Sequence, residues 1–145
     1  MFSTSKHLNQ NDSTNKDLFY VEDRKDKGYV IFKMNKLPVN SLNLEFLTEL
    51  NIQLDKFEEA KDINGVILTS NIPNIFSAGL DILEMYQPKP DRIRQFWSAL
   101  QDFWIRLYGS NKVYIAAINV NLNNCFNLLN FLNKHFKILK DKLNK

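Results

Sequence analysis

Apolar positions along the chain change period several times, and each change predicts an element. Tyr29-Val30-Ile31-Phe32-Lys33-Met34-Asn35 is β-branched and aromatic, with Gly28 before it and Pro38 after it, which predicts a strand. Asn43 then offers a side-chain cap with Glu45 in the following turn, and Leu47, Leu50, Leu54 and Phe57 recur at steps of three, four and three. That spacing is one face of a helix ending near Ala60. Gly65-Val66-Ile67-Leu68-Thr69 is almost continuously apolar and predicts a strand buried on both faces. Strand, helix and strand in that order make a βαβ unit.

A turn-rich connector, Asn71-Ile72-Pro73-Asn74, leads to Phe76-Ser77-Ala78-Gly79-Leu80-Asp81-Ile82 and a short helical piece reaching Met85 or Tyr86, closed by Pro88 and Pro90. Asp91 is placed to cap a long helix with Ile93, Phe96, Trp97, Leu100, Phe103, Trp104, Leu107 and Tyr108 on one stripe, and Gly109 to end it. Val113-Tyr114-Ile115-Ala116-Ala117-Ile118 predicts a third strand. The body therefore reads as α/β, with its strands between layers. Residues 1–20 are polar, rich in Ser, Thr and Asn, and read as a flexible leader. Without arginine and with Asp12 and Asp17, they do not form a clear transit peptide.

A chain of 145 residues suits one ordinary domain, and 44% hydrophobic with 24% charged residues excludes wholesale disorder. The net charge of +3 narrows the picture once it is located. Residues 120–145 hold five Lys and one Asp, whereas the other 119 residues carry a net −1. The body has no built-in basic footprint for nucleic acid. No apolar run reaches the ~18–20 residues of a membrane span. The single cysteine, Cys125, excludes an internal disulfide, and neither it nor the isolated His7 and His135 has zinc-ligand spacing. The same isolation leaves no serine or cysteine triad.

Candidate chemistry gathers at Ser77-Ala78-Gly79. Backbone N–H groups at a strand-to-helix turn are free of helical partners, and Ala and Gly let a ligand carbonyl approach the main chain. The alternative is a plain turn in which Gly79 serves only its backbone angle. Asp81 and Glu84 could form an acid/base pair, but two acids in a first turn are explained more simply by the helix dipole. The helical spacing of Phe96, Trp97, Phe103 and Trp104 reads as core or subunit contact rather than a cofactor box.

Three stretches then resemble the crotonase (enoyl-CoA hydratase/isomerase) superfamily: Pro38-Val39-Asn40-Ser41-Leu42-Asn43-Leu44-Glu45-Phe46-Leu47, Gly65-Val66-Ile67-Leu68-Thr69-Ser70 and Phe76-Ser77-Ala78-Gly79-Leu80-Asp81. Phe96-Trp97, Trp104-Ile105-Arg106-Leu107-Tyr108 and Ala117-Ile118-Asn119 continue the likeness, and the residues around the motif resemble the isomerase branch most. The resemblance implies a spiral of ββα units, of which residues 21–119 are the N-terminal part, and a homotrimer in the mitochondrial matrix. It implies that the double bond of a 3-enoyl-CoA is shifted to the 2-trans position in fatty-acid β-oxidation. By the same resemblance, Ala78 gives the first backbone N–H of an oxyanion hole, and Ala78, Gly79, Leu80, Asp81 and Ile82 line the acyl-CoA site. No metal or redox cofactor is implied, and coenzyme A enters only as part of the substrate.

Beyond Asn119 the sequence departs from the family. A Gly-rich loop giving the second oxyanion N–H and, later, a catalytic glutamate are expected, but the chain reads Val120-Asn121-Leu122-Asn123-Asn124-Cys125. The expectation is therefore a truncated domain with essentially no turnover, since an oxyanion donor is worth about 10²–10³ in rate and a general base about 10²–10⁴. A hydratase-like member, or a non-catalytic product that binds full-length subunits, is the alternative. Residues 120–145 read either as translated non-coding sequence or as a basic amphipathic helix. In the second case Leu122, Phe126, Leu129, Leu132, Phe136, Leu139 and Leu143 would cover an open sheet edge or meet a membrane.

Overall fold

A computed structural model describes residues 18–118 and, as backbone, residues 137–140. Five strands form one sheet in the order in which they occur in the chain: β1 (Phe19–Arg24), β2 (Tyr29–Met34), β3 (Gly65–Ser70), β4 (Val113–Ile118) and β5 (Lys137–Lys140). β1 and β2 are antiparallel, and each later neighbour is parallel to the one before it. Helix α1 (Leu44–Glu59) connects β2 to β3, and α2 (Pro90–Gly109) lies between β3 and β4. The two helices pack against each other, as the two βαβ connections of a parallel sheet require.

Side-chain alternation sets the core. Val30, Phe32 and Met34 of β2, Val66 and Leu68 of β3, and Ala116 and Ile118 of β4 are buried with Phe46, Leu47, Leu50, Leu54 and Phe57 of α1 and Phe96, Leu100 and Phe103 of α2. The other side of β3, with Ile67 and Thr69, is only half-buried among the described residues. The expected burial on both faces is thus met on one face. Phe19 enters from β1 and stacks on Phe32 and Phe46 with ring centroids 4.9 Å from each. Trp97 is half-exposed, while its neighbour Phe96 is fully buried.

Several boundaries move from their sequence-based positions. Phe19 and Tyr20, assigned to the leader, belong to β1, which a turn at Lys25–Lys27 and Gly28 at φ 77° fold back onto β2. Asn43 does cap α1, its side chain accepting from the Phe46 N–H at 3.1 Å. Lys89 rather than Asp91 is the N-cap of α2, because Pro90 occupies the first helical position and needs no donor partner. Gly109 lies inside that helix, with Ser110 as C-cap.

Of the two readings of the tail, the helical one does not hold at Lys137–Lys140, which is a strand paired in parallel with Ile115–Ile118. Unpaired N–H and C=O groups on the β4 edge accept a strand backbone, and a helix there could not satisfy them. The rest of that stripe, with Cys125 and His135, lies outside the described residues, as do residues 1–17 and His7. Among the described residues no helix is long and apolar enough to cross a membrane.

Candidate functional site

The segment Phe76–Glu84 leaves the end of β3 and runs beside residues 39–42, and the hydrogen bonds between these two stretches decide which groups remain open. The Ala78 N–H donates to the Val39 carbonyl at 2.9 Å. The Gly79 N–H donates to Ser77 Oγ at 3.1 Å. Leu42 pairs with Leu80 as a parallel bridge: its N–H donates to the Gly79 carbonyl at 2.8 Å, and its carbonyl accepts the Asp81 N–H at 2.9 Å. In such a bridge the groups of the central residue point away from its partner. The Leu80 N–H accordingly has no acceptor among the described residues.

The expectation of an open N–H at Ala78 is not met. Ala78 is solvent-exposed, but its N–H is already committed to Val39, so the open donor lies two residues further on, at Leu80. Gly79 holds φ 85°, and a Cβ built there would meet nothing within 4 Å. Its role is therefore the left-handed backbone angle that aims the next peptide, and the space above it is open to a ligand. Ile82 and Leu83, in the turn that follows, are each 74% exposed.

Asp81 and Glu84 do not form an acid/base pair. Asp81 caps the 3-10 turn at Ile82–Glu84 through the Leu83 N–H at 3.1 Å, and its other oxygen accepts from Ser41 Oγ at 3.1 Å. Glu84 is 4% exposed and accepts from the Leu44 N–H at 3.0 Å and from Arg92 Nη2 and Nε at 2.7 and 2.9 Å. Arg92 also grips Glu45 through both carboxylate oxygens. Glu45 and then Glu84 hold the guanidinium above its ordinary range, and the same contact holds the Glu45 carboxyl below the usual carboxylate range. Glu84 thus pins the turn to the positive N-terminus of α1.

Asn40, Lys36 and Arg92 were not recognised as site residues from the sequence. Asn40 is 0% exposed and holds φ 50°. Lys36 Nζ donates to the Ser41 carbonyl at 2.7 Å and lies 4.0 Å from Asp81 Oδ2, over the Phe46 ring. The signal for Asn40 is a residue with αL tolerance shortly after Pro38, but two of its partners, Ser70 and Phe76, are far away in sequence.

A groove of about 450 Å³ between the helices, lined by Thr48, Asn51, Asp55 and Arg106 among others, includes none of Ala78–Ile82. Among the described residues no three His, Cys, Asp or Glu side chains gather as a metal site.

Comparison with known proteins gives this geometry a family. Mitochondrial enoyl-CoA delta isomerase 1 of Rattus norvegicus is 52% identical over 99 residues, which are 68% of this chain and 34% of the relative. The Homo sapiens protein of that name is 50% identical over 99 residues, 33% of its length. The chain thus spans about a third of the curated relatives it matches. The crystal structure of human mitochondrial delta3-delta2-enoyl-CoA isomerase superposes with a TM-score of 0.69 at 48% identity, covering 71% of this chain and 40% of that one. An enoyl-CoA hydratase-type structure from Geobacillus kaustophilus superposes with a TM-score of 0.64 at 31% identity, covering 72% and 39%. Residues 24–123 match the family described as Enoyl-CoA hydratase/isomerase, and with most of its length inside that match the chain belongs to this family.

Proposed function

We propose that this chain carries the first half of an acyl-CoA thioester site of a Δ3,Δ2-enoyl-CoA isomerase, with the Leu80 N–H as the donor to the thioester oxygen. The observation that carries the reading is the unaccepted Leu80 N–H beside the open face of Gly79, on a segment inside the family match. Abstraction of a proton from C2 of a 3-enoyl-CoA puts negative charge on that oxygen, and a preorganised N–H stabilises the charge as it develops. Return of the proton at C4 leaves the 2-enoyl isomer. The shift is redox-neutral and calls for no metal or redox group; coenzyme A arrives with the substrate.

Proton transfer is not assigned to Asp81 or Glu84, whose oxygens are held by Leu83, Ser41, Leu44 and Arg92. A place in fatty-acid β-oxidation, the mitochondrial compartment named for the relatives, and a homotrimer complete this reading.

Titrating the isotopically labelled chain with butyryl-CoA tests it. The Leu80 amide resonance is expected to shift downfield at saturation, with smaller changes at Ala78. A saturable shift centred on Ala78 with Leu80 unmoved would overturn the donor assignment, and no binding at all would overturn the reading.

A further inference from the structure

The polar groups beneath Leu80 converge on one side chain. Asn40 is fully buried, yet its carboxamide makes three hydrogen bonds: Oδ1 accepts the Lys36 N–H at 2.7 Å, and Nδ2 donates to Ser70 Oγ at 2.8 Å and to the Phe76 carbonyl at 2.9 Å. Its own carbonyl accepts Ser77 Oγ at 2.7 Å, and that hydroxyl oxygen in turn accepts the Gly79 N–H. The preceding carbonyl, of Val39, takes the Ala78 N–H. Asn40 thus joins the end of β3, the loop after β2 and both sides of Ser77.

We propose that Asn40 is the positioning residue of the site: it orients the Leu80 N–H by clamping Phe76 and Ser77 to the 39–42 stretch. The clamp acts by exclusion. With the Ala78, Gly79 and Asp81 N–H groups each drawn to a fixed acceptor, Leu80 is the one donor in the Ala78–Asp81 run that faces outward. Neither a hydrocarbon nor a carboxylate substitutes for the carboxamide, because Phe76 needs a donor and the Lys36 N–H needs an acceptor at opposite ends of one planar group. The φ of 50° suits Asn, which adopts the left-handed region more readily than most residues.

This inference rests on Leu80 as the thioester donor, so the test separates the two. Calorimetric titration of the full chain compares butyryl-CoA with S-butyl-CoA, a thioether that lacks only the carbonyl oxygen. One hydrogen bond of about 1.4 kcal/mol gives the native chain an approximately tenfold preference for the thioester. Asn40→Gly keeps the positive φ and removes the carboxamide bonds to Lys36, Ser70 and Phe76; Ser77→Ala removes the other arm, which rests on the Asn40 main-chain carbonyl. Both variants are expected to reduce the preference to about twofold or less while S-butyl-CoA affinity stays within about twofold of native. A merely structural role would weaken both ligands together or neither. A folded Asn40→Gly variant that keeps the tenfold preference would overturn the role of the Asn40 side chain, and a Ser77→Ala variant that keeps it would overturn the Ser77 arm of the clamp. Absence of any preference in the native chain would remove the Leu80 reading itself and this inference with it. Should circular dichroism show Asn40→Gly unfolded, Asn40→Asp, which keeps the acceptor for the Lys36 N–H and loses the donor to Phe76, decides the matter by the same loss of preference.

Discussion

Replacing Glu84 by alanine tests whether this buried acid serves structure, and its size can be worked out from the contacts. The side chain is 4% exposed and carries three hydrogen bonds, one to the first backbone N–H of α1 and two to Arg92. A hydrogen bond to a charged group contributes about 1.5–3 kcal/mol net, and burial of the lost methylene adds about 0.8 kcal/mol. Arg92 adds little to the loss, because Glu45 and water still hold its exposed side. The expected destabilisation is about 3 kcal/mol, which for a domain of this size lowers the thermal midpoint by roughly 10–15 °C. Glu84→Gln keeps the volume and an acceptor for Leu44, and should cost about half as much. Urea and thermal unfolding followed by circular dichroism measure both, with Glu59→Ala, on an exposed turn of α1, as a control near zero. A Glu84→Ala chain within about 0.5 kcal/mol of native would refute the reasoning from burial.

Other perturbations follow from single features. Gly79→Ala meets no steric obstacle but forces a side chain onto φ 85°, so it should cost about 1–2 kcal/mol in a urea titration; an unchanged midpoint would contradict the positive φ. The Ser110 hydroxyl and then the Asn111 N–H hold the Glu58 carboxyl below its ordinary range. Because its folded-state value lies below the unfolded value of about 4.3, the stability it contributes is present above that pH and lost as pH falls through the folded value; Glu58→Gln should flatten this acid limb of stability against pH. Burial pushes the Tyr114 phenol up to about 12, so its contribution is complete below the unfolded value of about 10 and disappears as pH rises toward 12. In an absorbance titration, Tyr114→Phe should remove one late phenolate step, and its persistence in the variant would show that another tyrosine is responsible.

What could be read in advance depended on how local the cause was. Asn43 and the Leu47, Leu50, Leu54 and Phe57 spacing act within a few residues, and α1 begins and turns as they require. β1 was missed because Glu22, Asp23 and Arg24 interrupt its apolar pattern; its justification is tertiary, in Phe19 stacking on Phe32 and Phe46. The motif points to Ser77–Asp81, but which N–H within it is left open is not legible from the motif alone. Whether Ala78 or Leu80 is open depends on where the carbonyls of Val39 and Leu42 lie, nearly forty residues earlier in the chain. The same distance conceals Asn40, and by sequence Glu84 reads as an ordinary first-turn acid, because Arg92 and Leu44 reach it only in the fold.

Strand order in this sheet repeats strand order in the chain, and this bears on how the site comes into being during synthesis. Each strand finds its partner already made, so the sheet can grow at one edge as the polypeptide emerges. The groups that set the direction of the Leu80 N–H run from Lys36 to Arg92 and draw nothing from β4 or β5. The donor can therefore acquire its bearing once the first turn of α2 has emerged from the ribosome, before the last strands of the sheet have followed it out.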